Sequence, residues 1–457
     1  MSNRVAREKS DISLRINASG FVAVALQILV VTLLKRPAPV AGIGLPVDQL
    51  TYVVSGARLE WTDPGDRRRA TESGEYVARN VIPTRMAMRH DGIIYLAMPR
   101  FRRGVPFTLG AIECDPCTST IEPPILPYPC AAAHRPRPKL DDNNNNNWTM
   151  VNVVDVYVDD SGLLWALDVG KVNLLQQDNA IVVRPPMVFA FDTDTDEIVR
   201  AIDLSRATTR ASVLQSILVD QSTGAGMFVY VSDAGTGNVI VYNVCCDRSF
   251  KVYVPAGQCG RRGMMYMAMA RVDVTDEAAG GGPVRQLRLY VTYGMSCNMM
   301  YVPVHAMDET TVSLATVITG RKPSKMIVLG TDRGSVIYFR TGDNGDVLSW
   351  DVNTPLRAEN FRYVLRSQKS RVPFMVTAGL LGYPWYVESN FADFFAGDIG
   401  CLGVSTRIRQ LQRPVENDDF RPACGAAVPV PCDGRSTNTR GRRGRVLPGR
   451  GRQKTNG

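Results

Sequence analysis

Histidine is nearly absent from this chain, with three in 457 residues. His90 precedes an Asp-Gly turn, His134 lies in a proline-rich loop and His305 follows a strand-like run. None stands in a nucleophile motif, and no Gly-x-Ser-x-Gly elbow occurs, so hydrolase machinery built on an activated serine is not expected. A long apolar run is also lacking. Residues 21–34, FVAVALQILVVTLL, are fourteen uncharged residues, short of the roughly 20 that a spanning helix needs. With a basic stretch before them and Ala41 and Gly42 after, they suit the core of a secretory signal over 1–41; Lys35-Arg36 directly behind them keeps an uncleaved anchor as the alternative. Positive charge is missing where a nucleic-acid surface would need it. The formal +9 comes from the ends: residues 433–457 hold eight Lys/Arg against Asp433, and residues 1–36 hold six against Glu8 and Asp11, which leaves the body net −2. Such a body has no surplus with which to displace phosphate counterions, and no nucleic-acid partner is expected.

Helical periodicity is lacking too. β-branched and aromatic residues dominate the apolar runs, which makes the class all-β. One phrase recurs: IIYLAM (93–98), LLWALD (163–168), FVYVSD (228–233), LRLYVTY (287–293), SVIYFR (335–340) and WYVESNF (385–391). Its aromatic anchors Tyr95, Trp165, Tyr230, Tyr290, Tyr338 and Trp385 are spaced by 70, 65, 60, 48 and 47 residues. Four of these intervals divide into four strand-like segments each, as in VVDVYVD, LLWALD, MVFAFD and EIVRAIDL between 153 and 204. Sheets of four strands repeated at this period predict a six-bladed β-propeller over 50–411. A ring must be sealed against exposed edges. The segment TYVVSGARLEW (51–61) has strand character but no blade of its own, so it is expected beside the final clear strand, GVSTRIRQL (403–411). In this frame Asp168 and Asp233, each followed by a glycine at 170 and 235, read as turn residues, with calcium or ligand coordination as the alternative.

Ten cysteines, an even number, fit an oxidising compartment and disulfides. The candidates are Cys114, Cys117, Cys130, Cys245, Cys246, Cys259, Cys297, Cys401, Cys424 and Cys432; spacing does not give their connectivity. Cys114, Cys117, Cys130 and His134 have zinc-finger-like spacing, but the prolines of PPILPYPC (123–130) forbid the helix such a site uses, so no metal is expected. Asn147 in Asn-Trp-Thr is a glycosylation acceptor within the low-complexity run DDNNNNNWT. Residues 412–457 form an Arg/Gly-rich tail, essentially apolar-free after Cys432 and expected to be disordered. Arg100, Arg102 and Arg103 in PRFRRGVPFTLG suggest an anion site, against the plainer reading of a solvated or internally paired loop.

The segments W61 with TDPGDRRRATESGEYVARNVIPTRM, MPRFRRGVPFTLGAI (98–112), PPILPYP (123–129), DSGLLWALDVG, PPMVFAFDTDTDEIVRAIDL (185–204), LGTDRGSVIYF (329–339) and WYVESNF resemble the yellow and major royal jelly protein family of insects. The resemblance covers about residues 50–410 and implies a six-bladed propeller. The texture of CDPC, LPYPC and VESNFADFF is most similar to the yellow-g branch, associated with eggshell formation. Ser161 and Ser349 stand where many members have cysteine, so the family's disulfides do not transfer. Salivary members bind biogenic amines in the central channel through the asparagine of a Ser-Asn-Arg element. Ser389 and Asn390 match it while Phe391 replaces the arginine, leaving Asn390 as the candidate, with Glu388 on the same strand face and Asp393 beyond. Some relatives convert dopachrome, a melanin precursor, but no residue set here yields that reaction. The expectation is therefore a secreted, cofactor-free, non-enzymatic matrix or eggshell protein with matrix partners and a small-amine pocket. The alternative is a dopachrome-converting enzyme of melanin biosynthesis.

Overall fold

The structure, a computed structural model, describes residues 51–113, 122–135, 149–175, 180–221, 226–256, 262–275, 282–304, 317–342, 345–367, 371–379, 382–399 and 406–411. The apolar segment 21–34, Asn147, His305, six cysteines (114, 117, 259, 401, 424, 432) and the tail lie outside the described residues. The chain is mostly antiparallel sheet. Among the described residues four sheets have four strands each, one has eight and one has two. The eight-stranded sheet consists of two four-stranded antiparallel units joined at one parallel pair, Gly330 with Val376.

Each recurrent phrase occupies the second strand of a four-stranded unit: Ile93–Ala97, Leu163–Asp168, Phe228–Asp233, Pro283–Tyr293, Val336–Thr341 and Pro384–Ser389. The physical reason is burial on both faces. Phe228 and Tyr230 pack with Leu289 and Val291 of the following unit, whereas Val229 and Val231 pack with Trp165 and Val188 of the preceding one. A strand sandwiched in this way reads as a near-continuous apolar run. Outer strands such as Glu197–Asp203 keep one side in water and alternate loosely. The anchors Trp165, Tyr230, Tyr290 and Trp385 are at most 2% exposed, and burial of an aromatic side chain of this kind contributes about 2–3 kcal/mol.

The first strands of the units are Arg85–Met88, Val153–Val158, Leu214–Asp220, Met265–Thr275, Met326–Thr331 and Val372–Ala378. Each contacts the first strand of the next unit, and the sixth contacts the first, so the order of contacts closes on itself. At that closure Arg85 donates from a guanidinium nitrogen to the Phe374 carbonyl (3.4 Å). The expected pairing of chain start with chain end is present, with Val53 opposite Arg407 and Val54 opposite Thr406. It is shorter than the sequence suggested. Only Thr51–Val54 is strand, after which Ser55 accepts the Arg58 N–H in a turn.

Among the described residues two α-helices depart from the all-strand expectation. Pro64–Glu72 (α1) starts from Asp63, whose carboxylate accepts the Gly65 N–H (2.8 Å), with proline in the first turn. Only Ala70 of this helix is buried, so it has no apolar stripe for a periodicity search to find. Phe391–Ala396 (α2) ends on Gly397 in the left-handed region.

Candidate functional site

The six first strands line a cavity of about 120 Å³. Its wall combines apolar side chains, among them Met265, Met267, Phe374 and Met375, with polar ones, among them Arg85, Asp155, Tyr157 and Tyr266. Asp155 interrupts the apolar strand Val153–Val158 and is 3% exposed. Its carboxylate accepts the backbone N–H of Val156 (2.9 Å) and, from the neighbouring first strand, that of Ile217 (3.0 Å). Arg85 Nε lies 3.7 Å away. Burial pushes the Asp155 carboxyl up to about 6, against the pull of Arg85 and of the two N–H donors. The group therefore sits where it both takes up and releases a proton near neutral pH.

At the C-terminal ends of the strands an arm closes across the cavity. Arg333, in the left-handed region at φ 63°, stacks over the Tyr157 ring (5.3 Å to the centroid). It pairs with Asp160 (2.7 Å) and donates to the Val158 carbonyl. Arg271 donates to the Arg333 carbonyl (2.7 Å), so units two, four and five are tied together there. Asp159 is spent on structure, accepting from Ser161 N and Oγ, Leu163 N, Trp165 Nε1 and Gln221 Nε2.

The residues expected at the site lie elsewhere. Glu388 and Asn390 are not among the residues of the cavity wall, which comes mainly from first strands, whereas Pro384–Ser389 is the second strand of its unit. Glu388 is 3% exposed. Burial raises its pKa against the charges of Arg409, Arg371 and Arg407. Asn390 is the N-cap residue of α2, without a side-chain cap bond, and Asp393 lies within that helix.

The Asp-x-Gly aspartates clasp their own sheet. Asp168 accepts the N–H groups of Val151 (2.6 Å), Asn152 (2.9 Å) and Gly170 (2.8 Å) and pairs with Arg184 (2.7 Å). Asp233 accepts Val213 N (2.8 Å) and Thr236 Oγ1 (2.7 Å). With their oxygens so engaged, both work as turn and strand-entry clasps. Arg100 does not present itself to anions: its guanidinium donates to the carbonyls of Val105, Val151, Pro106 and His134. Arg102 donates to the carbonyls of Phe394 and Phe395 near the C-terminal end of α2 and covers the Phe394 ring. Arg103 is exposed. Within the same knot His134 is 1% exposed. Its Nε2 donates to the Tyr128 carbonyl (2.9 Å) while Nδ1 accepts the Thr108 N–H (3.4 Å), and burial drives its pKa down to about 3.

Among the cysteines, Cys297 is disulfide-bonded. Cys130, Cys245 and Cys246 carry free thiols, which corrects the expectation that they pair. Cys245 and Cys246 are exposed at the tip of the hairpin joining Asn238–Asn243 to Arg248–Tyr253, held by N–H bonds to Asn243 Oδ1 (2.9 and 3.3 Å), with no other described cysteine opposite.

The family model described as Major royal jelly protein matches residues 151–416, more than half of the chain. A dopaminechrome tautomerase of Drosophila melanogaster is 29% identical over 191 residues, 41% of this chain and 38% of that protein. Protein yellow of Drosophila subobscura is 28% identical over 207 residues, covering 45% and 33%, and protein yellow of Drosophila melanogaster 27% over 206 residues, covering 43% and 35%. The matched stretch thus spans little more than a third of these relatives. Among solved structures, Kuenenia stuttgartiensis hydrazine synthase superposes with a TM-score of 0.36 at 10% identity over 67% of this chain and 75% of its own, too low to assign a shared fold.

Proposed function

Because the chain belongs to the major royal jelly protein family, which includes the yellow proteins, we propose that it is a secreted six-bladed β-propeller that binds a catechol-derived molecule in its central cavity and catalyses a proton shift on it. Six four-stranded units with cyclically contacting first strands support the propeller. A tautomerisation moves a proton between carbon and oxygen of one molecule. It needs a base of well-matched pKa and no cofactor. The observation that carries the reading is Asp155: a carboxylate on the cavity wall, buried, hydrogen-bonded in place and lifted to about 6. The relative named as a dopaminechrome tautomerase supplies the substrate class, a cyclised catechol quinone. No helix among the described residues is long and apolar enough to cross a membrane, which is compatible with secretion. The test is aminochrome decay followed by absorbance. Wild-type protein should exceed the buffer blank, and Asp155→Asn should lower the catalysed rate by about 10²-fold or more.

A second reading is the non-enzymatic matrix or eggshell role. The exposed Cys245–Cys246 pair favours it, since two thiols at a hairpin tip are placed for covalent attachment to a neighbouring matrix protein. Protein without turnover that forms thiol-sensitive oligomers, absent in the Cys245→Ser/Cys246→Ser variant, would decide for this reading.

A further inference from the structure

In the hairpin turn of the fifth unit, residues 331–335, an arginine occupies a backbone conformation that suits glycine better. Arg333 has φ 63°, in the left-handed region, with Gly334 beside it. Holding a non-glycine residue there costs energy, and a fold retains one where its side chain has a use. The backbone around it is fixed. Asp332 Oδ1 accepts the N–H groups of Gly334 (2.7 Å) and Val336 (3.2 Å). Arg271 of the fourth unit donates from Nη1 to the Arg333 carbonyl (2.7 Å) and from its backbone N–H to the Gly334 carbonyl (2.8 Å). The Arg333 side chain reaches over to the second unit, three places away in the cyclic order of contacts, and meets the Tyr157 ring, the Val158 carbonyl and Asp160. Tyr157, Asp160, Arg271 and Arg333 all line the cavity. These contacts hold the side chain lightly. The Asp160 side chain is 72% exposed and that of Arg333 33%, and a water-facing ion pair and a cation over an aromatic ring are each weak. With the turn pinned, the guanidinium leaves by rotation about side-chain bonds alone.

We infer that the Arg333 side chain is a gate over this mouth of the cavity. Paired with Asp160 and laid over Tyr157 it closes the mouth; swung away it admits a ligand, while Arg271 and Asp332 keep the turn in place. This rests on the reading of the cavity as a ligand site and deepens it by naming what controls entry. Closure is ionic and faces water, so salt, or loss of either charge, shifts the gate toward its open state without moving a strand.

Methionines of the wall report access without any ligand being known. Full-length protein is treated briefly with chloramine-T, which oxidises the thioethers it reaches. Sulfoxide at Met265 and Met267 is followed by peptide mass spectrometry against Met187, a comparably buried methionine outside the wall. Arg333→Gly removes the side chain and suits the left-handed backbone; it should speed oxidation of Met265 and Met267 about ten-fold. Asp160→Asn should speed it about three-fold, with Met187 unchanged in both. Raising salt from about 0.05 M to about 0.5 M should speed it in wild type and leave Arg333→Gly unaffected. Unchanged rates at Met265 and Met267 in both variants overturn the gate. A rise that Met187 shares in both variants also overturns it, since the whole fold has then loosened. Aminochrome decay, measured on the same samples, separates the two readings. The expected oxidation pattern without aminochrome turnover keeps the gate and overturns the catechol reading, whereas turnover with unchanged oxidation overturns the gate alone. Should Arg333→Gly not fold, Asp160→Asn and the salt series in wild type still decide.

Discussion

Acid should weaken this fold through one buried imidazole. His134 is neutral in the folded chain, with both ring nitrogens engaged and its pKa near 3 against 6.5 for a free side chain. A base whose folded pKa is depressed supports the fold fully above its unfolded pKa, and that support drains as pH falls below it. For these two values, linkage gives a loss of about 2 kcal/mol between pH 7 and pH 5, and about 3 kcal/mol by pH 4. Asp155 runs the other way. Its folded carboxyl at about 6 lies above the ordinary 3.8, so acidification favours the fold through this group, by about 1 kcal/mol over the first interval. The two partly cancel in wild type, and only a difference isolates His134. The perturbation is His134→Gln, which keeps an amide donor but does not titrate. Urea unfolding of both proteins at pH 7, 6 and 5, with unchanged slope, should show wild type losing its advantage over the variant by about 2 kcal/mol across the series. A gap that stays constant with pH would refute the argument, because it would mean that the imidazole does not titrate differently in the two states.

Three further outcomes follow from the same coordinates. Asp168→Asn removes the charge that three backbone N–H groups and Arg184 share, and should cost about 3–5 kcal/mol in chemical denaturation. Gly170→Ala should cost more than about 2 kcal/mol, because Gly170 sits at φ 65° and a Cβ there would stand 2.1 Å from the Arg184 carbonyl oxygen; Gly162→Ala meets nothing closer than 3.9 Å and, in a similar conformation, should cost less by thermal melting. Arg340→Met should unfold at the same or a higher urea concentration than wild type, since a buried charge with no ion-pair partner among the described residues is exchanged for apolar volume.

The sheets were legible because two-sided burial writes itself into sequence. LLWALD, MVFAFD, FVYVSD and LQSILVD coincide with strands at both ends. The link between Val53–Val54 and the last strand followed from the need to cover an edge. Helix α1 was missed because a helix that buries one residue carries no periodicity; its signal was the Asp63-Pro64 cap. The cavity residues were missed for a different reason. Alternation tells which face of a strand a residue occupies, but not which strand is innermost; Asn390, put forward from the resemblance, is the N-cap of α2, and Glu388 beside it lies on a second strand. The legible trace was charge in the wrong place: Asp155 inside VVDVYVD is an ionic group in a run otherwise built for burial. Of the two readings of PRFRRGVP, an anion site or a solvated or internally paired loop, Arg100 and Arg102 follow internal pairing, with carbonyl partners partly from segments distant in sequence.

The most direct test of the account is the pH dependence of kcat/KM for aminochrome tautomerisation, which reports the free protein's essential base. The rate should rise through a single limb centred near 6, where burial places Asp155, and that limb should vanish in Asp155→Asn. An active protein whose limb persists unchanged in Asp155→Asn would contradict it.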